Sequence, residues 1–130
     1  DLTPEIRSFL SSVTQDRLLT RWEILFHEGE EANAFYIVTS WTLKAYHTSW
    51  EGADILGEIH IGEPVGEMAL FTNNTRRNAT VEAVEDTTLI VFPAFVIDTL
   101  RTKHPEILAA LQREIEDRVV KNTLHTVQKL

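Results

Sequence analysis

Between about residue 18 and residue 92 the chain is written in short apolar runs of strand length, and that texture limits the fold more than any other feature. EILFHEG, AFYIVTS, TLKAYHT, ADILGEIHIG and NATVEAVEDTTLIVF are rich in β-branched and aromatic residues and are separated by Gly, Asn and Asp. Many short strands at this spacing point to a small all-β roll or barrel. The flanks read differently. TPEIRSFLSSVTQDR, residues 3–17, offers Thr3 as an N-cap, Pro4 at the first helical position, and Ile6, Leu10 and Val13 at helical spacing. After the β region, FPAFVIDTLRTKH starts from Pro93 and a second helical run starts from Pro105. That run carries Leu108, Leu111, Ile115, Val119, Leu124 and Val127 on one stripe. The expected architecture is mainly β with flanking helices. A single domain covers 1–130, with an N-terminal helix in 1–17, the roll in 18–92 and two C-terminal helices in 93–130.

Composition then removes whole classes of function. A net charge of −8 over 130 residues argues against a face that contacts nucleic acid, which needs clustered Lys and Arg. Without cysteine there is no disulfide framework, zinc ribbon or thiol nucleophile. The longest apolar runs fall well short of the ~20 residues that span a bilayer, so no membrane contact is expected. No basic stretch followed by an apolar core marks a signal peptide, and a cytoplasmic location is the default expectation. Asp1 rather than Met opens the chain, and a piece of something longer is expected. The five histidines are scattered with no His-x-His, so no metal site is expected. No nucleophile stands beside a base within a motif, and the chain reads as a non-enzyme.

One stretch carries chemistry. In VGEMALFTNNTRRNATV, residues 65–81, a glycine lets the backbone approach a ligand closely. Free amides at the start of a helical turn, at Ala69 and Leu70, are suited to an anion. Glu67 is an acceptor suited to a sugar hydroxyl, and Arg77 offers a planar fork for two phosphate oxygens. Such a cradle fits a compact ligand with one phosphate and a free ribose hydroxyl. The plainer alternative is a buried Glu–Arg pair kept for structure.

The same residues resemble the phosphate-binding cassette of the cyclic nucleotide-binding domain family, the type found in the catabolite activator protein and in the regulatory subunits of cyclic-AMP-dependent protein kinase. Val65-Gly66-Glu67-Met68-Ala69-Leu70 match the first half of its pattern; Arg77, Ala79, Val81 and Ala83 match the second. LFHEGEEANAFYIVTS resembles the family's early turn and apolar strand, through Gly29, Ala32 and Phe35-Tyr36-Ile37-Val38. The resemblance implies a cyclic-nucleotide-binding β-roll, a double-stranded jelly roll, and a regulatory sensor. Its ligand would be cyclic AMP first and cyclic GMP second, with no cofactor. Glu67 would accept the ribose 2′-hydroxyl. Arg77 would pair with the cyclic phosphate, helped by amides around Ala69, Leu70 and Ala79, and Arg76 would add only general attraction. Gly66, Met68 and Asn78 would complete the ligand shell. The terminal helix would cover the base through Arg118 and Asn122 and signal to an output domain or partner protein. Its stripe leaves room for a homodimer seam, although Arg118 and Asn122 break a strict heptad. A degenerate roll that binds no ligand and serves as a dimerisation or interaction domain is the competing expectation.

Two departures stand out. Asn78 stands where the family usually carries Ser, Thr, Ala or Gln, which removes the reading of cyclic AMP against cyclic GMP. Trp22 and Trp41 stand where the family usually has turn glycines, and Trp50 also falls at a turn-like spot. A tryptophan resists the positive φ such turns demand, so either the turns are built differently or the residue alone has changed.

Overall fold

A computed structural model describes residues 3–67 and 75–129, the side chains from 118 onward excepted. Helix α1 covers Pro4–Val13; the Thr3 side chain accepts a hydrogen bond from the Ile6 N–H at 3.3 Å and so caps it. Eight strands follow among the described residues: β1 Gln15–Leu19, β2 Ile24–Phe26, β3 Ala34–Ser40, β4 Leu43–Ser49, β5 Gly52–Ile59, β6 Pro64–Val65, β7 Thr80–Ala83 and β8 Thr87–Pro93. Helices α2, Ala94–Lys103, and α3, Pro105–Lys129, close the chain. His104 between them has φ −139° and ψ 61°, outside the helical region, as expected of a residue preceding proline.

The strands form two antiparallel four-stranded sheets, in the orders β1-β8-β3-β6 and β2-β7-β4-β5. This is the mainly β roll that the strand texture predicts. The N-terminal helix is shorter than the expected 1–17: Thr14 is extended, and Gln15–Leu19 pairs with β8. A fully buried Leu19 and five register pairs outweigh the weak helical pattern of these residues.

The unbroken apolar runs of β3 and β8 have a simple cause: both faces of their sheet are covered. Ala34, Tyr36, Val38 and Leu89 point into the core between the sheets, packed with Leu43 and Val81. Phe35 and Phe92 point the other way, stacked at 4.4 Å, into a second core with Leu10 of α1, Ile97 of α2 and Leu111 of α3. Among the described residues the other sheet is covered on one side only. Leu43 and Ala45 of β4 face the core, while Lys44 and Tyr46 bond Glu82 of β7 on the outer face. The sheet therefore alternates, as a half-exposed antiparallel sheet should.

The tryptophan turns keep the left-handed conformation. Trp22 has φ 73° and Trp41 φ 63°, so the residue has changed and the turn has not. Both side chains are exposed, and Trp50 is almost fully so.

Candidate functional site

Arg77 is the centre of the site because the fold holds its backbone from two sides. Its N–H donates to the Glu30 carbonyl and its own carbonyl accepts from the Gly29 N–H, both at 2.8 Å. The β2–β3 loop thus fixes where the side chain starts, and that side chain runs inward with only 4% of its surface exposed. Nη1 donates to the Gly66 carbonyl at 3.0 Å and Nη2 to the Ala34 carbonyl at 2.7 Å. The guanidinium carbon lies 4.0 Å from the centre of the Phe26 ring. Nε is buried and has no hydrogen-bond partner among the described residues.

A guanidinium has five N–H donors, so three remain after the two carbonyl bonds made among the described residues. No carboxylate forms an ion pair with Arg77 among the described residues. Burial lowers its pKa from the ordinary arginine value, with Tyr36, Glu30 and Glu67 partly opposing that shift. Glu67, half-buried next to Gly66, has its carboxyl pushed above the ordinary range by burial; its own backbone N–H and Arg77 pull weakly the other way. The two groups attract across the site without touching. A tightly bonded Glu–Arg pair kept for structure is absent between these two residues.

Gly66, φ 78°, closes the end of β6. A Cβ there would lie 2.5 Å from Arg77 Nη1 and 3.2 Å from a Phe26 ring carbon. Only glycine lets the chain turn and the guanidinium reach its carbonyl in one place.

These groups line a cavity of about 330 Å³. Phe26, Ala45, Leu56, Ile59, Val65 and Val81 form an apolar wall; Glu67, Arg76, Arg77 and Asn78 form a polar one. Asn78 is exposed at the rim, and Ala79 is buried behind it. Arg76 is exposed, bonds the Gly29 carbonyl at 3.2 Å and pairs with Glu31 at 3.3 Å. Among the expected site residues, Gly66, Glu67, Arg77, Asn78 and Ala79 come together. Met68, Ala69, Leu70 and the side chains of Arg118 and Asn122 lie outside the described residues. Phe26 and the Ala34 carbonyl belong to the site and were not singled out by pattern. The strand end at LF, just before the loop that carries Gly29, was the available signal for Phe26; a backbone carbonyl leaves none. No cluster of metal-ligating side chains occurs among the described residues, and no helix of theirs is long and apolar enough to cross a membrane.

With that geometry in view, likeness to other proteins becomes informative. The chain is 35% identical to lysophospholipase NTE1 of Pyricularia oryzae over 100 residues, which is 76% of this chain and 7% of that protein. It spans only a small fraction of the curated relatives it matches. The N-terminal domain of a transcriptional regulator from Streptomyces coelicolor superposes with a TM-score of 0.77 at 28% identity, covering 96% of this chain and 87% of that one. The catabolite activator protein of Thermus thermophilus superposes with a TM-score of 0.75 at 27% identity, covering 98% and 60%. The family profile for the cyclic nucleotide-binding domain matches residues 17–104, which include both sheets but for the first two residues of β1, the cavity, Gly66, Glu67 and Arg77. This chain belongs to the cyclic nucleotide-binding domain family.

Proposed function

We propose that the chain is a regulatory sensor that binds a cyclic nucleotide, with cyclic AMP the first candidate and cyclic GMP the second, in the cavity beside Arg77. One observation carries the reading: a buried cation with no carboxylate partner among the described residues and with donors to spare. Burying a charge without a directly paired opposite charge costs several kcal/mol, and a cyclic phosphodiester would supply an anion in contact with it. Glu67 accepts the ribose 2′-hydroxyl, the apolar wall takes the base, and amides near Ala69, Leu70 and Ala79 complete the phosphate cradle. Asn78 stands at the rim beside the phosphate. The C-terminal helices, with Arg118 and Asn122 over the base, respond to the ligand through its differential affinity for two helix positions. The relatives are lysophospholipases, and a catalytic output domain of that kind elsewhere in a longer, cytoplasmic protein fits the reading. A homodimer seam along the last helix is part of it.

One observation favours the second reading, a ligand-free interaction or dimerisation roll. Two Arg77 donors already bond the protein's own carbonyls. Thermal melting separates the two readings. At 100 times its dissociation constant, a ligand stabilises by about 2.7 kcal/mol, roughly 10 °C for a chain of this size. Arg77→Ala abolishes the shift and Arg76→Ala keeps most of it. No shift with millimolar cyclic AMP or cyclic GMP would establish the ligand-free roll.

A further inference from the structure

We infer that Phe26 is the positioning residue for Arg77: its ring holds the guanidinium flat and charged without neutralising it. The inference rests on the cyclic-phosphate reading of the site and deepens it. The guanidinium carbon stands 4.0 Å from the ring centre, well inside the range where the negative face of an aromatic ring attracts a cation. The ring itself is fixed. Phe26 is 6% exposed, belongs to the core between the sheets, and stacks on Tyr36 at 6.3 Å and 27°.

Three contacts then hold the fork: the Gly66 carbonyl on Nη1, the Ala34 carbonyl on Nη2, and the ring beneath its central carbon. None of the three brings a formal negative charge. A carboxylate in their place would hold the arginine equally well, but it would cancel the charge and compete with an incoming phosphate. An aromatic face supports the cation and leaves that charge available. Gly66 completes the device, since a Cβ would strike Nη1 and press close to the ring.

The test separates the ring's electronics from its shape. Phe26 is replaced by Leu, by Tyr and by a series of fluorinated phenylalanines, which drain the negative face at nearly constant volume. Affinities for cyclic AMP and for adenosine, which lacks the phosphate, are measured by calorimetry. Phe26→Leu should weaken cyclic AMP about thirtyfold, the scale of a desolvated cation–π contact. Adenosine should change little, Phe26→Tyr should restore binding, and affinity should fall stepwise with fluorination. Equal affinity across the fluorinated series, or equal losses for both ligands, would overturn the inference. If the wild-type protein binds neither cyclic nucleotide, the sensor reading fails, and a stability cycle of Phe26→Leu with Arg77→Met still decides this one. Non-additivity of about tenfold in the unfolding constant supports it; additive effects overturn it.

Discussion

Gly66→Ala is the substitution whose consequences follow most completely from the geometry. Gly66 has φ 78°, and an alanine held there loses about 1–2 kcal/mol to the left-handed backbone alone. The new methyl would lie 2.5 Å from Arg77 Nη1, so something has to move. A side-chain tip usually moves cheaply; this one does not. The Phe26 ring blocks one face, Nη2 is tied to Ala34, and Phe26 itself would be only 3.2 Å from the methyl. Moving Nη1 therefore breaks its bond to the Gly66 carbonyl, a charge-assisted bond worth about 1.5–3 kcal/mol. Together the two effects amount to about 2.5–5 kcal/mol, a large part of the ~5–15 kcal/mol that holds a domain together. Urea unfolding followed by circular dichroism measures the loss. The same substitution in an Arg77→Met background isolates the collision, and there the cost should fall to the backbone strain of about 1–2 kcal/mol. An equal loss in both backgrounds would refute the claim that Gly66 is required by the guanidinium.

Three further outcomes concern Glu67 and the two tryptophan turns. Burial raises the folded-state pKa of Glu67, so the folded protein holds that proton to higher pH than the unfolded chain does. Stability should fall as pH rises from the ordinary glutamate value near ~4.3 up to the raised one, and stay penalised above it. Glu67→Gln should lack this slope, and urea midpoints for the two proteins that run parallel from pH 4 to 7 would refute the assignment. Trp41→Gly should relieve a left-handed tryptophan and stabilise by about 0.5–1 kcal/mol after the extra chain entropy of glycine. Trp22→Gly should gain less, because it also removes the ring that lies 4.9 Å from Arg21 and 5.8 Å from Lys44; a destabilised Trp41→Gly would show that the strain is offset elsewhere.

The parts of the fold that could be read from the chain are those where one local rule acts without competition. The AFYIVTS run corresponds to β3 residue for residue, because both its faces are buried and nothing interrupts the apolar pattern. Pro105 opens the last helix for an equally local reason, whereas Pro93 ends β8 and stands at the N-cap of the helix before it. Residues 15–17 were misread because their strand exists only through pairing with β8, and β8 is remote in sequence. The site divides in the same way. Arg77 was distinguishable from Arg76 by the alanine two positions on, and the two side chains do part: one is buried, the other is exposed and paired with Glu31. Phe26 and the Ala34 carbonyl were not legible, since their part in the site depends on where the folded chain sets them against Arg77. The tryptophan turns were legible as a conflict but not in outcome. The preference of Trp22 and Trp41 for negative φ is local, while the pairing of the flanking strands that overrides it is not.

If Arg77 uses its spare donors on a bound phosphate, its Nε–H is the probe closest to that event. With this side chain assigned by comparison with Arg77→Lys, its Nε–H resonance is followed as cyclic AMP, cyclic GMP or adenosine is added. A buried Nε–H that lacks a partner among the described residues should move strongly downfield and become protected from exchange with either cyclic nucleotide, and should stay in place with adenosine. An unmoved resonance at saturating cyclic nucleotide would contradict the account.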